Sequence, residues 1–333
     1  MPFTSFPPEI HSKIVEFVGE NDDARHVCAI SLVSKYFYEI ACPRLYRAVF
    51  VAGRDRVGVL ARTLLAKPNI AQHIHHLFLS DTGRGGPLVG VEDIPDVAFE
   101  LPRTQQARIE RRQRLQAWLA TREEHLLAFK RMVHDILSIV APQLHTLTIL
   151  QYAPCEPHLN ILRDAFEVPF PQLRELTLRG SYPDFGRSDA WPVLERLHMA
   201  AADSAVCEPM ASLTAISNHP HLTHIRITQA RMFDPSFLKL IFGLGGIEQF
   251  PLREPPPPCL PPSLRRFIVQ PDEGEPKLPL QDQTQMMQKL TDIAHAVDMF
   301  CLVAPESNPP YPSERATNEW RDRMAGGEGC WTW

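Results

Sequence analysis

The chain has no run of 18 apolar residues, the length a membrane-spanning helix needs, so none is expected. Paired cysteines are missing as well. Cys28, Cys42, Cys155, Cys207, Cys259, Cys301 and Cys330 are odd in number, widely scattered and without a Cys-x-x-Cys spacing. A disulfide framework or a zinc site needs closer, even groupings. Free thiols in a reducing intracellular compartment, cytoplasmic or nuclear, are the expectation. Met1-Pro2-Phe3-Thr4-Ser5 lacks a basic region followed by an apolar one, so no secretory signal is expected. Charge of one sign is scarce too. A net charge of -5 argues against nucleic acid or a membrane surface as the main partner.

Catalytic signatures are equally thin. There is no His-Glu-x-x-His, no Gly-x-Ser-x-Gly and no repeated Asp-x-Asp loop, the patterns that would align metal ligands or a nucleophile with its base. His73, His75 and His76 lie close together among 14 histidines, but neighbours such as His75 and His76 point to opposite faces of an extended segment. Glu123-Glu124-His125 diverge in direction on a helix. Gly83-Arg84-Gly85-Gly86-Pro87 has neither the lysine nor the strand-then-helix setting of a phosphate cradle. No catalytic, cofactor-binding or metal-binding residues are expected, and the chain is not expected to be an enzyme.

What is present is enough apolar material for a core. The 333 residues are 44% apolar, which fits one small module followed by an extended array. Pro7-Pro8-Glu9 suits a helix start, because proline is tolerated in the first turn and an early acid favours the helix dipole. Ile10, Ile14, Phe17 and Val18 recur at spacings of three and four, which predicts one apolar helix face. Gly19, Asn21 and Asp22 end it. Val27, Ile30, Leu32-Val33, Phe37 and Ile40 predict a second helical segment, closed by Pro43.

Beyond residue 50 one pattern recurs, apolar-x-x-apolar-x-apolar. It begins at Ile74, Leu144, Leu173, Leu194, Leu222, Ile247 and Leu264, and from Leu144 onward the starts lie 29, 21, 28, 25 and 17 residues apart. Most of those intervals match the period of leucine-rich repeats. Five copies are announced by proline, at Pro142, Pro171, Pro192, Pro220 and Pro262, which starts a strand without occupying its ladder. The pattern predicts short parallel strands with irregular segments between them. The usual Asn or Cys after each strand is replaced by Thr82, Tyr152, Ser181, Ala202, Ala230, Pro255 and Asp272, so the array is degenerate and no asparagine ladder forms.

Two segments interrupt this array. Residues 83–100 read as a surface loop. Residues 103–141 read as a long helix with Leu115, Trp118, Leu119, Leu126, Phe129, Val133, Ile136, Leu137 and Val140 as its apolar stripe. Pro255 to Pro258 with Pro261-Pro262 suggest a stiff connector, and residues 281–299 a further helix. Residues 305–333 read as a loosely ordered tail that Trp320, Trp331 and Trp333 anchor on the array.

The first fifty residues carry a more specific likeness. Phe6-Pro7-Pro8-Glu9-Ile10, Val33-Ser34-Lys35 and Leu45-Tyr46-Arg47 resemble the landmarks of the F-box family, with Phe6 in place of the usual Leu and Phe37 where Trp is common. Pro-rich turns and degenerate repeats also resemble the F-box proteins of mushroom-forming fungi. The resemblance implies an α/β chain: a helical F-box module over 1–50, then an irregular leucine-rich-repeat-like solenoid over 51–304. It implies a non-catalytic, substrate-recognition subunit of a ubiquitin ligase, docking a Skp-type adaptor, and through it a cullin, by Phe6, Pro7, Pro8, Ile10, Ile14, Leu32 and Val33. Such a subunit also binds a client protein.

In leucine-rich folds the residues between the apolar strand positions line the concave face. Here Arg179, Arg196, His198, His224, Arg226 and Arg266 are the candidate client contacts, suited to an acidic or phosphorylated segment. The alternative is a repeat scaffold whose first helices only seal its end. An end cap buries Pro7, Ile10, Ile14 and Leu32 against the array, whereas a docking module leaves them outward.

Overall fold

A computed structural model describes residues 7–21, 24–83, 104–152, 165–180, 182–183, 185–200, 216–230, 235–244, 260–272, 280–305 and 311–332. The fold is α/β, with a mostly helical amino-terminal part and an eight-stranded parallel sheet. The helical part comprises α1 (Pro8–Asn21), α2 (Ala24–Ser31) and α3 (Lys35–Leu45). The segment expected as one helix around residues 27–40 is two, because Ser34 breaks it. Its hydroxyl accepts the Phe37 amide at 3.2 Å and caps α3, the usual role of serine at a helix start. Pro43 lies inside α3 and does not close it.

These helices have a core of their own, in which Val15, Val27 and Ala41 are buried and Val18, Ile30, Ile40 and Leu45 pack around them. His11 joins this inner face of α1, its Nδ1 lying 2.8 Å from the Tyr36 hydroxyl. The predicted stripe of α1 is therefore divided. Val18 points inward, while Ile10 and Phe17 are exposed.

The strands are β1 (Ala48–Ala52), β2 (His76–Ser80), β3 (Thr146–Leu150), β4 (Glu175–Arg179), β5 (Arg196–Ala200), β6 (His224–Ala230), β7 (Arg266–Pro271) and β8 (Phe300–Leu302), paired in chain order. β1 straddles the boundary expected at residue 50. Six of the seven pattern copies each lead into a strand, while the copy at Ile247 falls outside the described residues. β1 and β8 carry the same spacing, from Tyr46 and from Val297, without a proline two residues ahead of it, and are not among the seven expected copies.

The prolines act one step earlier than a strand start. The amides of Leu144, Leu173, Leu194, Leu222 and Leu264 donate to the carbonyls of Ala141, Phe170, Trp191, His219 and Pro261. Each bond closes a four-residue turn whose second position is Pro142, Pro171, Pro192, Pro220 or Pro262. Proline's fixed φ is preset for that position. The turn drops its leucine into the core and aims the chain along the sheet. Just beyond it the carbonyls of Arg47, His75, His145, Arg174, Glu195 and Thr223 each accept two successive amides from the next strand's approach. This edge ladder holds the register without an asparagine ladder.

One sheet face carries Leu77, Leu79, Leu147, Ile149, Leu176, Leu178, Leu197, Met199, Ile225, Ile227, Phe267 and Val269, all in the main core. Helices α4 (Arg54–Ala66), the short α5 (Pro68–Ala71), α6 (Gln105–Val140), Pro235–Ile241 and Leu280–Ala296 cover it, through residues such as Leu64, Ile70, Phe129, Ile136, Leu238 and Ile293. Where described helices are lacking, aromatic rings fill the layer. Trp191 packs against Phe166, Phe185 and His219 with centroids 5.7, 5.2 and 5.8 Å away. In α6 only the second half of the predicted stripe, from Leu126 onward, is buried, whereas Leu115 and Leu119 are exposed.

Gly180 ends β4 with φ +104, and a Cβ there would stand 2.8 Å from Gln151 Cβ and 3.1 Å from its carbonyl oxygen. Gly180→Ala is expected to cost about 1–3 kcal/mol from the strained φ and the clash. Urea denaturation measures it, and an unchanged midpoint would refute this account of the corner.

Candidate interaction surfaces

Two surfaces follow from this architecture, one on the helical part and one on the polar face of the sheet. On the helical part, α1 and the turn between α2 and α3 present apolar side chains to solvent. Ile10, Phe17, Leu32 and Val33 are 41%, 67%, 86% and 70% exposed. Pro7 and Pro8 are exposed beside them and Ile14 is half-buried. Phe6 lies outside the described residues. Leu32 and Val33 occupy the turn that Ser34 closes, so the capping hydroxyl also holds these two side chains outward.

The polar face of the sheet differs from its expected role. Residues 311–332 are no loose tail. A helix, Ser313–Met324, and a 3-10 turn, Gly329–Trp331, lie across this face. Tyr311 and Ala316 pack against Phe78, Leu150 and Ala200, with Phe50, Tyr152 and Trp320 around them. Cys330 and Trp331 pack on Ile268. Phe78, Leu150 and Ile268 stand between the polar strand positions, so an open face would have exposed them. The expected anchors Trp320 and Trp331 do make these contacts, while Trp333 is outside the described residues.

Buried charge pairing holds the segment. Glu175 accepts from Arg323 Nη2 at 2.9 Å and from Trp331 Nε1 at 3.0 Å. Arg196 stands 4.0 Å from Glu175 and 3.6 Å from Glu328. Arg226 donates to the carbonyl of Cys330 and, at 3.0 Å, to Gln270 Oε1. The Tyr152 hydroxyl donates to the Tyr311 carbonyl at 2.8 Å.

The six candidate client contacts therefore separate. Arg179, His198 and Arg226 are buried, and each makes a hydrogen bond within the chain. Arg179 donates to the Gln151 carbonyl at 2.8 Å and stacks on Tyr152, and His198 Nε2 lies 2.8 Å from Thr228 Oγ1. Residues 311–332 contact two of them, Tyr311 lying against His198 and the Cys330 carbonyl accepting from Arg226. Arg196, His224 and Arg266, at the strand starts, are half-buried. The polar strand positions taken alone read as an open face, whereas Phe78, Leu150 and Ile268 between them do not. Those apolar residues, together with the late tryptophans, were the available signal of a covering layer.

Burial dominates the chemistry of this face. It pushes His198 well below the ordinary histidine value, with Arg226 and Arg315 adding to the effect. It also pushes the Cys330 thiol well up, away from a reactive thiolate. Among the described residues, no three His, Cys, Asp or Glu side chains converge to hold a metal ion, and no helix is long and apolar enough to cross a membrane. Comparison with protein-family profiles and with curated proteins finds no match to this chain.

Proposed function

We propose that this chain is an F-box-like recruiter. Its helical part docks a Skp-type adaptor, and the rest of the chain presents a client protein to a cullin-based ubiquitin ligase. The observation that carries this reading is the exposed patch of Pro7, Pro8, Ile10, Leu32 and Val33 on helices that already have their own core. An outward apolar patch beside a satisfied core is the signature of a docking surface. An end cap has no use for it, since a cap turns its apolar residues toward the array. The repeated strands supply a scaffold of the leucine-rich kind, and tethering a client to the ligase raises its effective concentration. Client contact through Arg179, His198 or Arg226 is not part of this reading, because all three are buried within the chain.

The test is capture of a purified Skp-type adaptor by the intact chain and by a Pro8→Ala, Ile10→Ala, Leu32→Ala variant. Truncating three exposed interface side chains is expected to weaken binding about 100-fold, with the stability of the free chain changed by about 0.5 kcal/mol or less per site. Failure of the folded, unaltered chain to bind the adaptor would remove the recruiter reading.

A further inference from the structure

A groove of about 440 Å³ lies where the helical part meets the sheet, lined by Ser12, Val15, Glu16, Ile40, Pro43, Arg44, Arg47, His73, His75 and His145. We propose that this groove binds an acidic segment of a partner protein, whose carboxylates pair with Arg44 and Arg47. The proposal does not depend on the adaptor reading. On α1 the groove uses Ser12 and Glu16, half a helix turn away from the exposed Ile10, so both surfaces are accessible together.

Charge identifies the occupant. The titratable groups facing the groove are Glu16 from α1, Arg44 in the last turn of α3, Arg47 just after it, His73 and His75 ahead of β2, and His145 ahead of β3. Two guanidinium groups and three imidazoles thus face one carboxylate. Neither Arg44 nor Arg47 has an ion-pair partner within the described residues. Unpaired guanidinium groups gathered in a chain of net charge -5 favour carboxylates, which they hold through two parallel hydrogen bonds. The carboxy-terminal dipole of α3 opposes an anion at this spot, and Arg44 in that last turn offsets it.

The imidazoles add a dependence on pH. The rings of His75 and His145 are 4.9 Å apart, and His75 Nδ1 lies 3.2 Å from the Gln143 carbonyl. With Nδ1 held there as a donor, Nε2 of His75 is left to take up a proton. Burial, with help from His145, Arg47 and His73, keeps His75 below the ordinary histidine value. A bound carboxylate opposes that shift, so binding draws protons in and tightens as pH falls.

The experiment uses the full chain and a fluorescein-labelled hexaglutamate peptide, followed by anisotropy. Saturable binding at pH 6 is expected, at least tenfold weaker at pH 8. It is expected to fall at least tenfold in Arg44→Gln/Arg47→Gln, and to stay within twofold in Arg56→Gln/Arg62→Gln, an exposed pair on α4. Peptide titration followed by NMR needs no variant. The His73, His75 and His145 resonances are expected to move and that of the exposed His134 to stay. No saturable binding, equal loss in both variant pairs, an affinity indifferent to pH, or complete displacement by millimolar inorganic phosphate would each overturn the proposal. Adaptor capture by the Arg44→Gln/Arg47→Gln variant is expected to be unchanged, so this inference and the recruiter reading fail separately.

Discussion

Trp331→Ala is expected to destabilise the protein by about 3–5 kcal/mol, the range for removing a buried aromatic side chain. Trp331 is buried against Ile268, and its indole nitrogen donates to Glu175 at 3.0 Å. Alanine leaves a cavity above β7 and removes one of the donors that satisfy a buried carboxylate, which adds to the cost. Arg323 still pairs with Glu175, so the helix Ser313–Met324 remains tethered while the turn after it loosens. Trp331→Phe restores most of the packing but not the hydrogen bond, and is expected to cost only about 1–2 kcal/mol. Urea denaturation measures both losses, and limited proteolysis should cut the alanine variant near its carboxy terminus first. A loss below about 1 kcal/mol for alanine would mean that the segment is not seated on the sheet.

Stability is expected to fall as pH is lowered below about 6.5, the ordinary histidine value. Burial is the main reason that His76 is held down to about 4 and His198 well below 6.5. The unfolded chain takes up protons at these sites first, so the folded state is penalised as pH drops. The contribution is intact above the unfolded value and is lost progressively below it. For fully buried His198 the slope approaches about 1.4 kcal/mol per pH unit. His76 is partly exposed and contributes less. His198→Gln keeps a hydrogen-bonding group beside Thr228 and removes the titration. Chemical denaturation at pH 7 and pH 5 should therefore show a drop smaller by about one proton's worth in the variant. An identical drop in both proteins would exclude His198 as a source.

The strands were the most legible part of the chain. At the copies beginning with Leu144, Leu173, Leu194, Leu222 and Leu264 the local pattern and the tertiary fold ask for the same thing. An apolar residue closes a proline turn, and two alternate residues then enter the core. β1 and β8 escaped although they have the same spacing, from Tyr46 and Val297. No proline announces it, and Val297 falls in the stretch that reads as a helix. The division of α1 escaped for a different reason. Ile10, Phe17 and Val18 have the same chemistry, and periodicity cannot tell an inward apolar residue from an outward one. The first half of α6 illustrates the same limit, since Leu115 and Leu119 continue the stripe of Leu126 and Phe129 yet stay exposed.

The candidate sites divide along the same line. The outward residues Pro7, Pro8, Ile10, Leu32 and Val33 come from one short stretch whose helices and caps are local. Arg179, His198 and Arg226 could not be judged that way, because their burial depends on partners more than 100 residues away for Arg226 and 148 residues away for the neighbouring Glu175. By itself the sequence determined six of the parallel strands, their order of appearance, the proline turns that precede five of them and the helical character of α1, α2 and α3. Each of these is set by interactions within a few residues or by a pattern that repeats. Only the tertiary structure decided which apolar residues face outward, and that the polar sheet face belongs to the chain's own carboxy-terminal segment. Both follow from burial, which is a property of the assembled layers and of no single segment.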